Sequence, residues 1–479
     1  MRGTILNAGT GLILSLAAST ALSQGDAFEI PAAERDTAQQ LINTALDSDL
    51  AYEIVESLTT DIGPRLAGSD DEARARGWGA RLGEELGFDR VSVEPFTMAY
   101  WERGESELTL SSPYELHLHA TALGGSGASD GSFEAEVVYF RDVYELSKAA
   151  PESLVGKIAF VDGEPLVKSQ TGAGYGQANQ RRRVGWQHAE RAGARALVVR
   201  SVGSSSHRFA HTGMMSSRSG EDTGQVWADI PVMAISNPDA DQLRRLHQRG
   251  EALRLRLESG AGFSGDVESG NVILDLVGRE KPEEIVLIGG HLDSWDLGTG
   301  AIDDGAGVAI TTAAAALIAQ LPERPKRTIR VVMFGAEEAG LLGARAYATA
   351  HAEEAPMHVL ATESDFGADS IWQLASNVNP DANPVIDAIG RLLAQLDIVR
   401  GGSAEGSGGP DIIPLAAAGV PTVDLNQNGR DYFDLHHTPD DTLDKIDPDK
   451  LAQNVAAYAA LVYLAAELDV DFRKTDAGN

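Results

Sequence analysis

The sequence predicts an α/β sandwich, a mixed sheet with helices on both faces, and three observations lead there. From Asn271 onward, short apolar runs at 272–277, 285–288, 328–334, 358–362 and 422–425 alternate with helical stretches, the pattern of strands joined by crossover helices. The run at 328–334 is almost continuously apolar, as in a central strand of a parallel sheet covered on both faces. The stretches 305–320, rich in alanine, and 451–468, amphipathic, supply helices to cover it.

The same reading extends to the rest of the chain. Residues 32–88 read as helical, with Leu41, Ile42, Ala45, Leu46, Leu50, Ile54, Val55 and Leu58 spaced mostly by three and four. The loop GPRLAGS at 63–69 interrupts this stretch, and β structure begins at 91–96. Between the Gly/Ser-rich stretches at 124–131 and 259–265, strands at 136–140, 156–161, 196–199 and 230–235 alternate with helices at 143–149, 186–192 and 239–248. This reads as a separate small α/β module, inserted at 121–265 between the segments 24–120 and 266–479. Within it, Arg181-Arg182-Arg183 reads as a solvated patch.

Length and charge narrow the function. The 479 residues suffice for two or three domains at roughly 100–200 residues each, and 43% are hydrophobic. With 71 acidic against 39 basic side chains, the net charge of −32 opposes nucleic acid or an anionic membrane as partner. The absence of cysteine excludes disulfides, thiolate zinc sites, iron–sulfur clusters and a thiol nucleophile. Residues 11–21 (GLILSLAASTA), behind Arg2 and ahead of Ala21-Leu22-Ser23, have the length and small-residue ending of a secretory leader. They are too few to span a bilayer as a helix. The expectation is a leader at 1–23 cleaved near Ser23 and a secreted or periplasmic protein; a buried N-terminal helix is the competing reading.

Open α/β sheets place ligands beyond the carboxyl ends of their strands. Reading outward from each strand end gives His291 and Asp293, then Glu337-Glu338, then Glu363 and Asp365, then His436-His437, with Asp303-Asp304 at the start of the Ala-rich helix. Each has an ordinary structural explanation: a core histidine, an N-cap, acidic residues at a helix start, a surface pair. All of these would have to hold together at successive element ends of one domain. The nitrogen and oxygen donors suit two divalent cations, zinc above all, sharing one carboxylate. One glutamate can then be a ligand and its neighbour a general base. Spacing does not separate His436 from His437.

These residues lie in GGHLDSWDLGTGAIDDGAG, FGAEEAG, ESDFG and HHTPDDT, which resemble the active-site blocks of the M28 family of co-catalytic zinc peptidases, and within it the carboxypeptidase Q group. The likeness extends to DIGPRLAGS, YWERGES, VGKIAFV and HTG, and so over nearly the whole chain after the leader. The resemblance implies a zinc-exopeptidase fold with a protease-associated domain as the insert. It implies two Zn²⁺ per chain, with His291 and Asp365 on one ion, Glu338 and His437 on the other, and Asp303 bridging. It further implies Glu337 as general base, Asp293 as the partner of the second His291 nitrogen, and a cis peptide between Asp303 and Asp304. His211 in HTG and Asp411 in GSGGPD are implied substrate contacts, although Gly-Gly-Pro before Asp411 departs from the family pattern.

The expectation is a dipeptidase or short-peptide exopeptidase, with a homodimer implied by the resemblance alone. An aminopeptidase for longer peptides is the nearest alternative. Acidic-peptide specificity would call for arginines near the motifs, where Arg345 and Arg430 are the nearest. A non-catalytic binding protein on the same scaffold is the alternative of another class.

Overall fold

The computed structural model describes residues 28–216 and 225–474. The expected leader at 1–23 lies outside them. Two eight-stranded mixed sheets carry the chain. β1 (Arg90–Glu102) opens the first. The chain then builds the second from β2 (Ser106–Ser112), β3 (Leu116–His117), β4 (Ala120–Ala122), β5 (Phe133–Phe140), β6 (Ile158–Val161), β7 (Ala196–Arg200), β8 (Val232–Ile235) and β9 (Arg254–Ser259). It returns to the first with β10 (Gly262–Leu276), β11 (Lys281–His291), β12 (Arg327–Phe334), β13 (His358–Glu363), β14 (Ile371–Asn377), β15 (Val399–Arg400) and β16 (Thr422–Gln427).

The strand order of the first sheet is β1-β10-β12-β11-β13-β16-β14-β15, with β12, β11, β13 and β16 mutually parallel. Alternation along β11 sorts its side chains by face. Val286 and Ile288 join the helices Ala32–Leu46, Ala306–Ala319 and Pro448–Glu467 on one side. Ile285 and Leu287 meet Tyr347 and Leu415, from the helices Leu342–Ala350 and Ile413–Ala417, on the other. Both faces are thus covered, as expected of the parallel core. Gly290 and Gly307 mark where the Ala-rich helix meets the sheet: a Cβ on Gly307 would stand 1.8 Å from the Ser364 carbonyl oxygen, and one on Gly290 2.6 Å from Asp304 Oδ2.

The structure moves the expected border at residue 121. β2 pairs antiparallel with β9, Ser106 opposite Ser259, so the second sheet already begins at Ser106. At the far end, Gly262 pairs with Glu102 of the first sheet. The Gly/Ser-rich stretch at 124–131 is a turn region inside the second sheet's territory. The strands β2, β3, β4, β9, β14 and β15 were not expected; β14 reads Ile371-Trp372-Gln373-Leu374-Ala375-Ser376-Asn377, a short stretch with no regular alternation of apolar and polar residues.

Candidate metal centre

Parallel pairing sets His291 of β11 opposite Phe334 of β12, and Gly289 opposite Glu363 of β13. Three strand ends therefore deliver His291, Glu337-Glu338 and Asp365 to one rim. The start of the Ala-rich helix brings Asp303 there, and the segment beyond β16 brings His436-His437.

Asp303 stands between two pairs. Its Oδ1 is 3.2 Å from His291 Nε2, which in turn is 3.6 Å from Asp365 Oδ1. Its Oδ2 is 3.3 Å from His437 Nε2, itself 3.1 Å from Glu338 Oε2. His436 Nε2 is farther from the same Oδ2, at 3.7 Å, and its ring stacks on His437 with centroids 3.5 Å apart. Donor atoms of His291, Asp303 and Asp365, of Asp303, His436 and His437, and of His291, Glu337 and Glu338 each converge closely enough to hold an ion. The Asp303–Asp304 peptide is cis.

The electrostatics of this rim call for cations. Asp303 Oδ2, Glu338 Oε1 and Asp365 Oδ1 are buried acceptors without a hydrogen-bond partner among the described residues, a costly state for carboxylates. Burial pushes Glu337 and Glu338 well above the usual carboxylate range, and neighbouring carboxylates (Asp365 and Asp303 among them) push in the same direction. Burial likewise raises Asp365, and Glu363 to about 8. Asp303 goes the other way: burial works against its charge, but the His291 hydrogen bond and the His436 and His437 charges outweigh burial and lower it. Burial drives His437 well below its ordinary value, leaving the neutral imidazole that binds metals. Burial lowers His291, but its hydrogen bonds to Asp303 and Asp365 outweigh burial and raise it well above its ordinary value, so an ion there would displace its proton. With the orphaned acceptors and the neutral His437, this is the donor set of a zinc-type divalent cation, so the residues fit such a group.

Backbone and buried polar groups hold the rim in place. Asp293 orients His291 through its main-chain oxygen, 2.9 Å from Nδ1, rather than through its carboxylate, 3.7 Å away. That carboxylate instead accepts the Glu337 and Glu338 N–H groups at 3.0 and 3.2 Å, fixing the pair. Arg65, fully buried, donates to the carbonyls of Leu292, Gly63, Thr299 and Gly300, closing the loop between His291 and Asp303. Asp441 accepts from the Ile302 and Asp303 N–H groups at 2.6 and 3.2 Å. Asp304 accepts from the His291 and Gly307 N–H groups, 3.0 Å each. Arg65 and Asp441 sit inside the quoted motifs, but no local pattern marks their function.

The second sheet reaches the same rim. The Thr212 carbonyl accepts from His437 Nδ1 at 3.0 Å, and the Thr212 N–H donates to the His437 carbonyl at 3.0 Å. Arg182 Nη1 donates to that Thr212 carbonyl at 3.0 Å and lies 3.2 Å from His437 Nδ1. Arg181 and Arg182 are each 5% exposed, so the solvated patch expected at 181–183 is corrected: two of its three guanidiniums are buried against main-chain carbonyls. The expected substrate contact at His211 is corrected too. Its Nδ1 is 2.9 Å from the His436 carbonyl and its Nε2 3.1 Å from Ser205 Oγ, so both nitrogens are committed behind the His pair. Burial holds it at about 4, and so neutral. Asp411 is 1% exposed beside Glu363, whose Oε2 accepts the Asp411 N–H at 2.8 Å. Ser204 adds a further tie, its N–H donating to the Phe433 carbonyl at 3.0 Å.

A mixed α/β sheet carrying His, Asp and Glu at the carboxyl ends of its parallel strands defines a metal-dependent hydrolase. The model of peptidase family M28 matches residues 271–462. Carboxypeptidase Q of Bos taurus is 32% identical over 441 residues, covering 91% of this chain and 89% of that protein. A peptidase M28 precursor from Shewanella amazonensis SB2B superposes with a TM-score of 0.87 at 47% identity, covering 92% of this chain and 98% of that one. BSAP, a zinc aminopeptidase from Bacillus subtilis, shares the fold at 22% identity, with a TM-score of 0.62 over 90% of this chain and 98% of that one. The chain belongs to peptidase family M28 and is a metallopeptidase.

Proposed function

We propose that the protein is a dinuclear zinc exopeptidase that hydrolyses dipeptides and other short peptides. The observation that carries the reading is the division of Asp303: one carboxylate oxygen faces His291 and Asp365, the other His437 and Glu338. His291 and Asp365 would hold one ion, His437 and Glu338 the second, and Asp303 both. When bound, paired zinc ions supply Lewis acidity that activates water and polarises the scissile carbonyl.

The rest is the work of this chain's own groups. Glu337, held by the Asp293 carboxylate through its N–H, takes a proton from the attacking water at its carboxylate and returns it to the leaving amine. Its surroundings, buried and rich in carboxylates, raise its proton affinity in the metal-free protein, and two zinc ions beside it would favour the ionised form that accepts the proton. The His291 and His437 hydrogen bonds to the Asp293 and Thr212 carbonyls place the proton on Nδ1 and leave Nε2 to the metal.

The second sheet takes the part of the protease-associated insert. Its loop carrying Thr212 and Met214 lies against Glu338 and His437, supporting a preference for short substrates. Export through the N-terminal leader to the periplasm or medium, and a homodimer, complete the proposal. Elemental analysis of the purified protein, paired with dipeptide hydrolysis before and after chelation, tests it. Two zinc ions per chain and chelator-sensitive, zinc-restored cleavage are expected. A protein that binds no zinc and stays inactive when zinc is added would overturn the reading in favour of a binding protein on this scaffold.

A further inference from the structure

We propose that residues 167–174, in the segment after β6, form a lid over the metal rim that lifts to admit substrate and is latched shut by Lys168, an inference that rests on the peptidase reading above. The lid belongs to the second sheet but lies on the first. Lys168 Nζ pairs with Asp431 Oδ1 at 2.7 Å and also with the Asp434 carboxylate. The Gly429 N–H donates to the Gln170 carbonyl at 2.9 Å. Gly172 sits on two rings: a Cβ there would stand 2.8 Å from Phe433 Cε2 and 3.0 Å from Phe366 Cζ.

Beneath the lid lies an approach to both proposed ions. Phe366 follows Asp365 in the chain, and Phe433 packs against His436 with ring centroids 5.3 Å apart. Phe366 and Phe433 meet edge to face at 5.8 Å, so their rings run from one proposed ligand pair toward the other. With Gly172 resting on both rings, no peptide fits between the lid and this aromatic floor. The rim is closed as well: His291, Asp303, Glu338 and His437 are each no more than 7% exposed. A covering element has to move before substrate enters. The Asp303 loop and the Thr212 loop are fastened by buried groups, Arg65 and Asp441 for the first and the reciprocal Thr212–His437 bonds for the second. The lid is not.

Its two ends are fixed. Leu166 is buried, and its N–H donates to the Gly203 carbonyl at 3.2 Å. Tyr175 stacks on Phe433 at 4.5 Å, and its hydroxyl accepts from Arg182 at 2.9 Å. Between these anchors Gly172 and Gly174 take φ of +66° and +92°, conformations that glycine enters and leaves at no steric cost. There is also space for the lid to swing into. A cavity of about 500 Å³ lies behind it, lined by Val167, Ala173 and Gly174 and by Arg141, Asp142 and Val143 beyond β5. Lys168, Gln170 and Gly172, which face the first sheet, are not part of that lining. The latch itself is light: the Lys168 and Asp431 side chains are 38% and 61% exposed, and ion pairs so placed hold weakly and yield to salt.

The chain has no cysteine, so a double variant, Lys168→Cys with Asp431→Cys, can be bridged selectively by a short bismaleimide. Bridging should lower dipeptide turnover of the zinc-loaded full chain at least about twentyfold, while each single variant given the same reagent stays within about twofold of its untreated form. Hydrogen exchange supplies a readout that needs no turnover. In Lys168→Met the Gly429 amide should exchange at least about threefold faster than in wild type, and about 0.5 M NaCl should move wild type in the same direction. If the bridged protein does not fold, the exchange comparison decides. Full turnover in a bridged, zinc-replete protein, or an unchanged Gly429 amide in folded Lys168→Met, overturns the lid alone. An unmodified, zinc-loaded protein that cleaves no dipeptide overturns the peptidase reading, and the lid's role with it, whatever the exchange rates show.

Discussion

Replacing Arg182 by Met tests whether the second sheet belongs to the metal centre. The guanidinium and His437 Nδ1 share the Thr212 carbonyl, which puts the two nitrogens 3.2 Å apart. Arg182→Met keeps most of the bulk but removes the charge, one donor to that carbonyl and the 2.9 Å bond to the Tyr175 hydroxyl. Losing such a partner of a metal-ligating histidine typically costs 10- to 100-fold in metal affinity, or about 1.4–2.7 kcal/mol. A second effect adds to it. Burial comes first in holding His437 well below its ordinary value, and the charges of His436 and Arg182 add to that against the pull of Asp303. Without Arg182 the imidazole protonates more readily, so the loss should be larger at pH 6 than at pH 8. Arg182→Lys, which keeps the charge but not the planar fork, should fall between. The assay is a competitive zinc titration of metal-free protein against a chromophoric chelator at both pH values. One of two binding steps should weaken and the other hold; both steps within twofold of wild type, at both pH values and in a folded variant, would refute the coupling.

Glu337→Gln should keep both zinc ions by elemental analysis and lose about 10²- to 10⁴-fold in dipeptide turnover; full activity would remove Glu337 from its role. In the metal-free protein, burial first of all raises Glu72, Asp441 and Glu363 to about 7, 7 and 8. Their folded forms keep protons that the unfolded chain releases near pH 4, so stability falls as pH rises from there to about 7 to 8 and changes no further above. His211 and His358, lowered by burial to about 4, act in the opposite sense below pH 6.5. From these groups the metal-free Tm should fall gently up to pH 6.5, where the histidines offset two of the three carboxylates, then most steeply between pH 6.5 and 8, and level off above, with zinc flattening the decline; a Tm climbing steadily from pH 6.5 to 8 would count against these assignments. Gly307→Ala should abolish soluble expression or cost more than about 3 kcal/mol in denaturant unfolding, since its Cβ would meet the Ser364 oxygen at 1.8 Å and Asp304 Oδ2 at 2.3 Å.

The rim was legible in the sequence because parallel strands leave it little freedom. Once the runs ending at His291, Phe334 and Glu363 are read as neighbouring parallel strands, their carboxyl ends must meet, and the acidic and imidazole groups beyond them meet with them. What local patterns could not reach was long-range pairing and side-chain direction. Ser106 joins the second sheet only because Ser259 lies opposite it, a partnership that no window of ten residues contains. Arg181 and Arg182 carry the composition of a surface patch, yet main-chain carbonyls from β7 and from the Thr212 loop accept their donors. Asp293 stands where expected, but its carbonyl and its carboxylate divide the work, which residue type alone cannot reveal.

The reciprocal bonds between Thr212 and His437 bear on how this architecture can be rebuilt. An insert joined by two crossings looks like a cassette, free to be trimmed, exchanged between relatives or swung aside by a hinge. Here its loop pins the main chain and the ring of one proposed zinc ligand, while His211 and Ser204 tie down the residues ahead of it. A chimaera with a foreign insert would thus inherit a loosened half of the metal centre unless the Thr212 loop travelled with the His436-His437 segment. The unit of exchange in this protein is the pair, and any rocking of the second sheet is transmitted directly to His437.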